Sequence, residues 1–142
     1  MRRFFAKLFA TYIFLKNKRW IYNPIESQKR TFRKLIKKAS KTKFGIDHGF
    51  NKILSYQDYI DNVPIRDYEE IKPYIDIVIA GKKNVLWPGK PLYFSKTSGT
   101  TSGIKYIPIS KESMPTHIKS ARDAILNYIY YCLLYTSDAA DE

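Results

Sequence analysis

The 142-residue chain is 44% hydrophobic and 15% aromatic, a composition that builds a globular core rather than a disordered chain. Its net charge of +12 is uneven: residues 1–50 hold fourteen Lys or Arg against only Glu26 and Asp47, and the rest of the chain is balanced. A single cysteine, Cys132, excludes an internal disulfide framework and a multi-cysteine zinc site, and fits a reducing, cytoplasmic setting.

Phe4 to Leu15 is mostly apolar behind Arg2 and Arg3, as at the start of a signal peptide. Lys7 interrupts the run, however, no small-residue cleavage site follows, and the stretch is too short to span a bilayer. On a helical wheel Arg3, Lys7, Thr11 and Lys18 share one side, and Phe5, Leu8, Phe9, Tyr12, Ile13 and Leu15 crowd the rest. This predicts an amphipathic docking helix that packs on its own protein, with peripheral contact to a membrane surface and a signal sequence as the alternatives. A second helix is signalled by Asn23 as cap, Pro24 at the first helical position and Glu26 in the capping-box position. Phe32, Leu35, Ile36 and Ala39 recur at helical spacing as its apolar side. Lys29, Arg30, Arg33, Lys34, Lys37 and Lys38 form a charged face, read as solvated, with a nucleic-acid grip as the competing reading.

Gly45 and Gly49 break the helical pattern, and Ser55 with Asp58 predicts a short capped helix near residues 56–61. Pro64 makes Val63 to Ile65 extended. Asp67 with Glu70 predicts another helix start, with a kink or restart at Pro73 and a left-handed stop at Gly81. Asn84 to Pro91 is turn-rich around Pro88-Gly89. Tyr93-Phe94 reads as a short buried strand and Ile104 to Ile109 as a second extended segment. Ser110 or Ser113 opens a long helix carrying Ile118, Ala121, Ile125, Leu126 and Ile129, with Pro115 in its first turn. The composition changes abruptly after the apolar run Tyr128 to Leu134, so residues 132–142 are expected to be a non-native tail. His48 and His117 have no Cys, His or Glu partner at a metal-ligand spacing, and no metal site is expected on them.

Between the two extended segments, Ser95 to Lys105 concentrates five hydroxyls beyond Ser95 itself, two glycines and lysine. Glycine lets the backbone approach an anion closely, successive amides can form an anion-binding nest, hydroxyls donate, and lysine supplies countercharge. By composition alone such a stretch is also an ordinary flexible turn. It is not the phosphate loop of nucleoside triphosphatases, which needs four residues between its glycines followed directly by Lys and Ser or Thr. Here three residues separate Gly99 from Gly103, and Lys105 comes after Ile104.

The string Thr97-Ser98-Gly99-Thr100-Thr101-Ser102-Gly103, with Lys105 and Pro108 behind it, resembles the first signature motif of adenylate-forming enzymes. Val63-Pro64-Ile65, Tyr68 to Ile75, Gly89-Lys90-Pro91 and Lys105-Tyr106-Ile107-Pro108 narrow the resemblance to the acyl acid amido synthetase family named for auxin-responsive promoters, over residues 1–131. The resemblance implies an α/β fold, in which this chain is the N-terminal part of the large adenylating domain: helices, then a strand-loop-strand phosphate grip and a helix. It implies ATP and Mg2+, a carboxylic acid activated as its acyl-adenylate, and an amino acid or other amine as acceptor. Ser98, Thr100, Thr101 and Ser102 are then hydroxyl or amide donors to the triphosphate, Gly99 and Gly103 permit its approach, Lys105 is the weaker candidate for countercharge, and Thr97 completes the cofactor-binding set. Ser102 stands where many members carry Gly or Ala, and the catalytic residues are expected downstream. A coenzyme A acceptor and a non-enzymatic basic module remain the alternative readings.

Overall fold

A computed structural model describes residues 2–97 and 103–138. It divides into two compact units, one of Gln28–Ser113 and one of Met1–Ser27 with Met114–Glu142. The described residues are mostly helical, with a small two-stranded antiparallel sheet, as the fragment of an α/β protein can be.

The second unit rests on α1 (Arg2–Ile21) and α6 (Ser113–Asp138). Ala10, Ile13 and Asn17 form the buried stripe of α1, and Ala10 and Ile13 pack on Leu126 of α6. Phe14 stacks on Tyr130 with ring centroids 4.0 Å apart. Of the six apolar residues expected to form the packing side, only Ile13 is buried; Phe5, Leu8, Phe9, Tyr12 and Leu15 are exposed. A helix apolar around most of its circumference has no single preferred direction, and small Ala10 allows the closest approach. On α6 the expected Ile118, Ala121 and Ile125 are likewise exposed, while the expected Leu126 and Ile129 face inward with Asp123 and Tyr130, Ile129 and Tyr130 being half-buried. Lys119 and Arg122 donate to the Asp123 carboxylate and hold its pKa below the usual range. Pro115 sits in the first turn of α6, where its missing N–H costs no helical bond.

In the larger unit, α2 (Pro24–Ala39) presents Ile36 and Ala39 to Phe50 and Ile53. Phe32, Phe44, Tyr59, Val63 and Trp87 close around this core, while Leu35 is exposed. The basic residues from Lys29 to Lys38 all lie on the exposed side. Thr42 then caps α3 (Lys43–Asp47): its Oγ1 accepts from Gly45 N at 3.0 Å and donates to Ala39 O at 2.7 Å. Gly45 therefore sits inside a helix rather than breaking one. It is needed for space, since a Cβ there would lie 2.1 Å from Ala39 O. Gly49, at φ +62°, does end the element, ahead of a 3-10 turn at Phe50–Lys52. His48 is structural: it stacks on Phe44 and its Nδ1 lies 2.7 Å from Phe44 O.

Two of the three sequence-read capping boxes are seen to form, and at the third α2 starts at Pro24 as its signal predicts. Ser55 and Asp58 open α4 (Tyr56–Asn62), and Asp67 and Glu70 open α5 (Tyr68–Ile79). Val63 between them is extended. Pro73 causes no restart, because α5 is one element through it. The carbonyl that loses its donor is that of Glu69, an exposed first-turn residue that water can serve. At the far end Gly81 takes φ +86°, with Gly81 N bonded to Val78 O and Lys82 N to Ile77 O, a Schellman stop. Tyr74 of α5 donates to Asp47 at 2.8 Å, which pins α3 to α5.

The turn-rich segment closes on itself through Asn84 N to Gly89 O and Gly89 N to Asn84 Oδ1, at 2.9 and 2.7 Å. It hands over to β1 (Pro91–Thr97), which pairs with β2 (Lys105–Ser110). β1 is longer than the buried pair expected at Tyr93-Phe94, and it is not buried: Tyr93 is 58% exposed. A two-stranded ribbon has two faces to cover, and among the described elements only α5 packs closely on it, along β2.

Gly45→Ala is expected to destabilise the protein by about 3 kcal/mol, because the added methyl meets backbone that cannot swing aside; a urea midpoint equal to wild type contradicts this. Leu54 and Ser55 amides donating to Asp58 lower its pKa. A depressed carboxylate contributes stability that is full above its unfolded pKa of about 3.9 and is lost as pH falls through the folded value. Asp58→Asn should therefore narrow the difference in urea midpoint between pH 5 and pH 2.5, and leave it unchanged only if this bonding does not form.

Candidate functional site

The hydroxyl-rich segment is the connection between β1 and β2. The antiparallel register pairs Ser95 with Ile107, Lys96 with Tyr106 and Thr97 with Lys105, so Thr97 and Lys105 are the last partners before the connection. Ser98, Gly99, Thr100, Thr101 and Ser102 lie outside the described residues. Gly103, at φ +77°, occupies the left-handed region open to glycine at no steric cost. The segment after it is a strand, as its alternation predicts, so no helix N-terminus follows the glycines.

Three of the eight candidate residues can therefore be placed. Thr97 and Lys105 are half-buried at the strand ends, and Gly103 is exposed beside them. Hairpin pairing brings hydroxyl, left-handed glycine and ammonium to the same end of the ribbon, a donor set that suits polyphosphate.

The ribbon is held at both ends by residues to which sequence reasoning assigned no role. At the loop end, Tyr106 N donates to Tyr68 Oη at 2.8 Å, and Lys105 Nζ lies over the Tyr68 ring, 5.4 Å from its centroid. Tyr68 is the first residue of α5, and the Asp67–Glu70 box fixes it there: Glu70 N donates to Asp67 and Asp67 N to Glu70, both at 2.9 Å. That box also occupies the positive end of the helix with side-chain carboxylates, which leaves α5 unsuited to bind an anion. Where β2 ends, Glu112 accepts from Trp87 Nε1 at 3.3 Å and pairs with Lys38 of α2. The Lys38 ammonium holds the Glu112 carboxyl below its usual pKa. Tyr68 lay within a motif that the sequence displayed, but its bond to a backbone amide 38 residues away has no local signature.

Among the described residues no three His, Cys, Asp or Glu side chains converge as metal ligands. Asp67 and Glu70, which flank Tyr68 at the loop end of the ribbon, are spent on the helix cap. No helix of the described residues is long and apolar enough to cross a membrane.

The model of the GH3 family N-terminal domain matches residues 17–135, and the chain belongs to the GH3 family. This is the auxin-responsive acyl acid amido synthetase family to which the motifs pointed. A relative named jasmonoyl-L-amino acid synthetase, from Nicotiana attenuata, is 30% identical over 89 residues. The match takes in 61% of this chain and 15% of that relative, so the chain spans a small part of the relative's length. No solved structure matches the chain.

Asp67→Ala is expected to cost about 1 kcal/mol of stability through the lost cap. Because Tyr68 is the next residue, amide hydrogen exchange at Tyr106 should quicken in the same variant. Unchanged exchange there would separate the cap from the ribbon.

Proposed function

We propose that the chain is the N-terminal part, over residues 1–131, of the adenylating domain of an acyl acid amido synthetase, and that the connection between β1 and β2 grips the phosphates of ATP. The observation that carries the reading is the hairpin itself. It gathers Thr97, Gly103 and Lys105 at one end of a ribbon braced by α5, in a chain of the GH3 family. The name of the tobacco relative supports an amino acid as the acceptor.

In the full-length protein, a carboxylate oxygen of the acid attacks the α-phosphorus of ATP and pyrophosphate leaves, giving acyl-adenylate. The amine nitrogen then attacks the acyl carbon, AMP departs with the carboxylate oxygen, and the nitrogen gives up a proton. In this reading Thr97, Ser98, Thr100, Thr101 and Ser102 donate hydrogen bonds to the triphosphate. Gly99 and Gly103 let the backbone come close, and Lys105 offsets charge. Their value lies in being arranged before charge shifts, so that no reorganisation is needed during transfer. Mg2+ would accompany ATP and shield its phosphates. In this reading the groups that choose the acid and those that catalyse are not among residues 1–131. The proposed setting is the cytoplasm, where ATP is abundant; residues 1–131 hold no cysteine and so need no oxidising compartment.

The test is pyrophosphate exchange into ATP by the full-length protein, with a panel of carboxylic acids. At least one acid should support exchange, and Ser98→Ala should reduce it by about tenfold to a hundredfold. Product mass after addition of amines or coenzyme A then decides the acceptor, amide being expected. Absence of exchange with every acid, or binding to nucleic acid that is steeply salt-dependent and indifferent to Ser98→Ala, contradicts the reading.

A further inference from the structure

The outgoing strand of the hairpin is tethered by one side chain. Tyr68 contacts two consecutive residues of β2 through two different groups: its hydroxyl accepts from the Tyr106 amide at 2.8 Å, and its ring lies under the Lys105 ammonium at 5.4 Å from the centroid. The first contact fixes the backbone immediately after Lys105. The second fixes where the Lys105 charge sits, since a cation over a ring face is attracted by the ring's quadrupole. Tyr68 can do this because its own backbone is immobilised at the start of α5 by the reciprocal Asp67–Glu70 bonds.

Among the described residues, the other strand gives no comparable hold on Lys105. Its partner across the strands is Thr97, which is the last residue of β1. Without Tyr68, a lysine at the end of a two-stranded ribbon would keep most of its rotamers, and ordering it on a bound anion would cost about 1–2 kcal/mol in side-chain entropy.

We infer that Tyr68 is a positioning residue for ATP, holding Lys105 and the backbone that follows it in the place from which the ammonium meets the phosphates. The assignment rests on the adenylating reading above and adds to it a residue on a separate helix, outside the hydroxyl-rich motif. Tyr68 itself need not touch ATP.

The experiment uses the full-length protein and pyrophosphate exchange, with an acid that supports exchange in wild type, and reads KM for ATP and KM for the acid separately. Tyr68→Phe keeps the ring and removes the hydroxyl; it should raise KM for ATP by about threefold. Tyr68→Leu removes both contacts and should raise it by about tenfold or more. KM for the acid should stay within about twofold of wild type, because the acid is not bound through Lys105. In a Lys105→Ala background the ring has no ammonium to hold, so Tyr68→Leu should cost no more than Tyr68→Phe does there.

Several results overturn the assignment while leaving the adenylating reading intact. They are wild-type KM for ATP in both Tyr68 variants, parallel changes in both KM values, or a Leu-over-Phe loss that persists without Lys105. If Tyr68→Leu does not fold, the Phe variant decides alone: unchanged KM for ATP with unchanged amide exchange at Tyr106 refutes the tether. A wild-type protein that exchanges no pyrophosphate with any acid removes the reading and the assignment together.

Discussion

A two-stranded ribbon in water is marginal by itself, since its cross-strand bonds merely replace bonds to solvent and it has little apolar area to cover. The β1–β2 ribbon of this chain is kept in register by being pinned near both ends of β2. The Tyr106 amide goes to Tyr68 of α5 at one end, and Glu112 meets Lys38 and Trp87 just past the other. Everything read into the glycine- and hydroxyl-rich connection depends on this bracing. A loop can present donors to a phosphate at low entropic cost only if its two stems do not move.

The bracing elements are themselves set by short-range chemistry. α5 begins at Tyr68 because Asp67 and Glu70 satisfy each other's backbone amides, and it stops at Gly81 because glycine enters the left-handed region freely. α3 lies against the end of α2 because Gly45 has no side chain to meet Ala39 O, and Thr42 uses one hydroxyl to serve both helices. The small core of Ile36, Ala39, Phe50 and Ile53, ringed by aromatics, then fixes α2 with its basic face outward. The strong positive charge of the first third is therefore, in this unit, the solvated side of a packed helix.

These local devices explain what the sequence made legible. The capping boxes at Ser55 and Asp67, a glycine stop and a turn at Pro88-Gly89 are written within three to six residues, and each was found where its pattern stood. Strand alternation from Ile104 to Ile109 likewise located β2. What misled was direction. The apolar residues of α1 and α6 occur on several faces, and only a partner decides which face is inward; small Ala10 and polar Asn17 were chosen over Phe5 and Leu8. Gly45 misled in another way, because a glycine needed for helix-to-helix contact looks, in sequence, like one that ends a helix. Pro73 looked like a break, and near an exposed first turn it is tolerated. For the candidate site, the motif showed the loop, while Tyr68, Trp87 and Glu112 act over 25 residues or more and carry no pattern of their own.

The central claim is that the protein to which this chain belongs joins a carboxylate to the α-phosphate of ATP. It is tested most directly by following an oxygen atom. The full-length protein would be given an acid labelled with oxygen-18 in its carboxylate, together with ATP and an amine. The account predicts one labelled oxygen in the phosphate of AMP. Label in inorganic phosphate, or amide formed with unlabelled AMP, would contradict it.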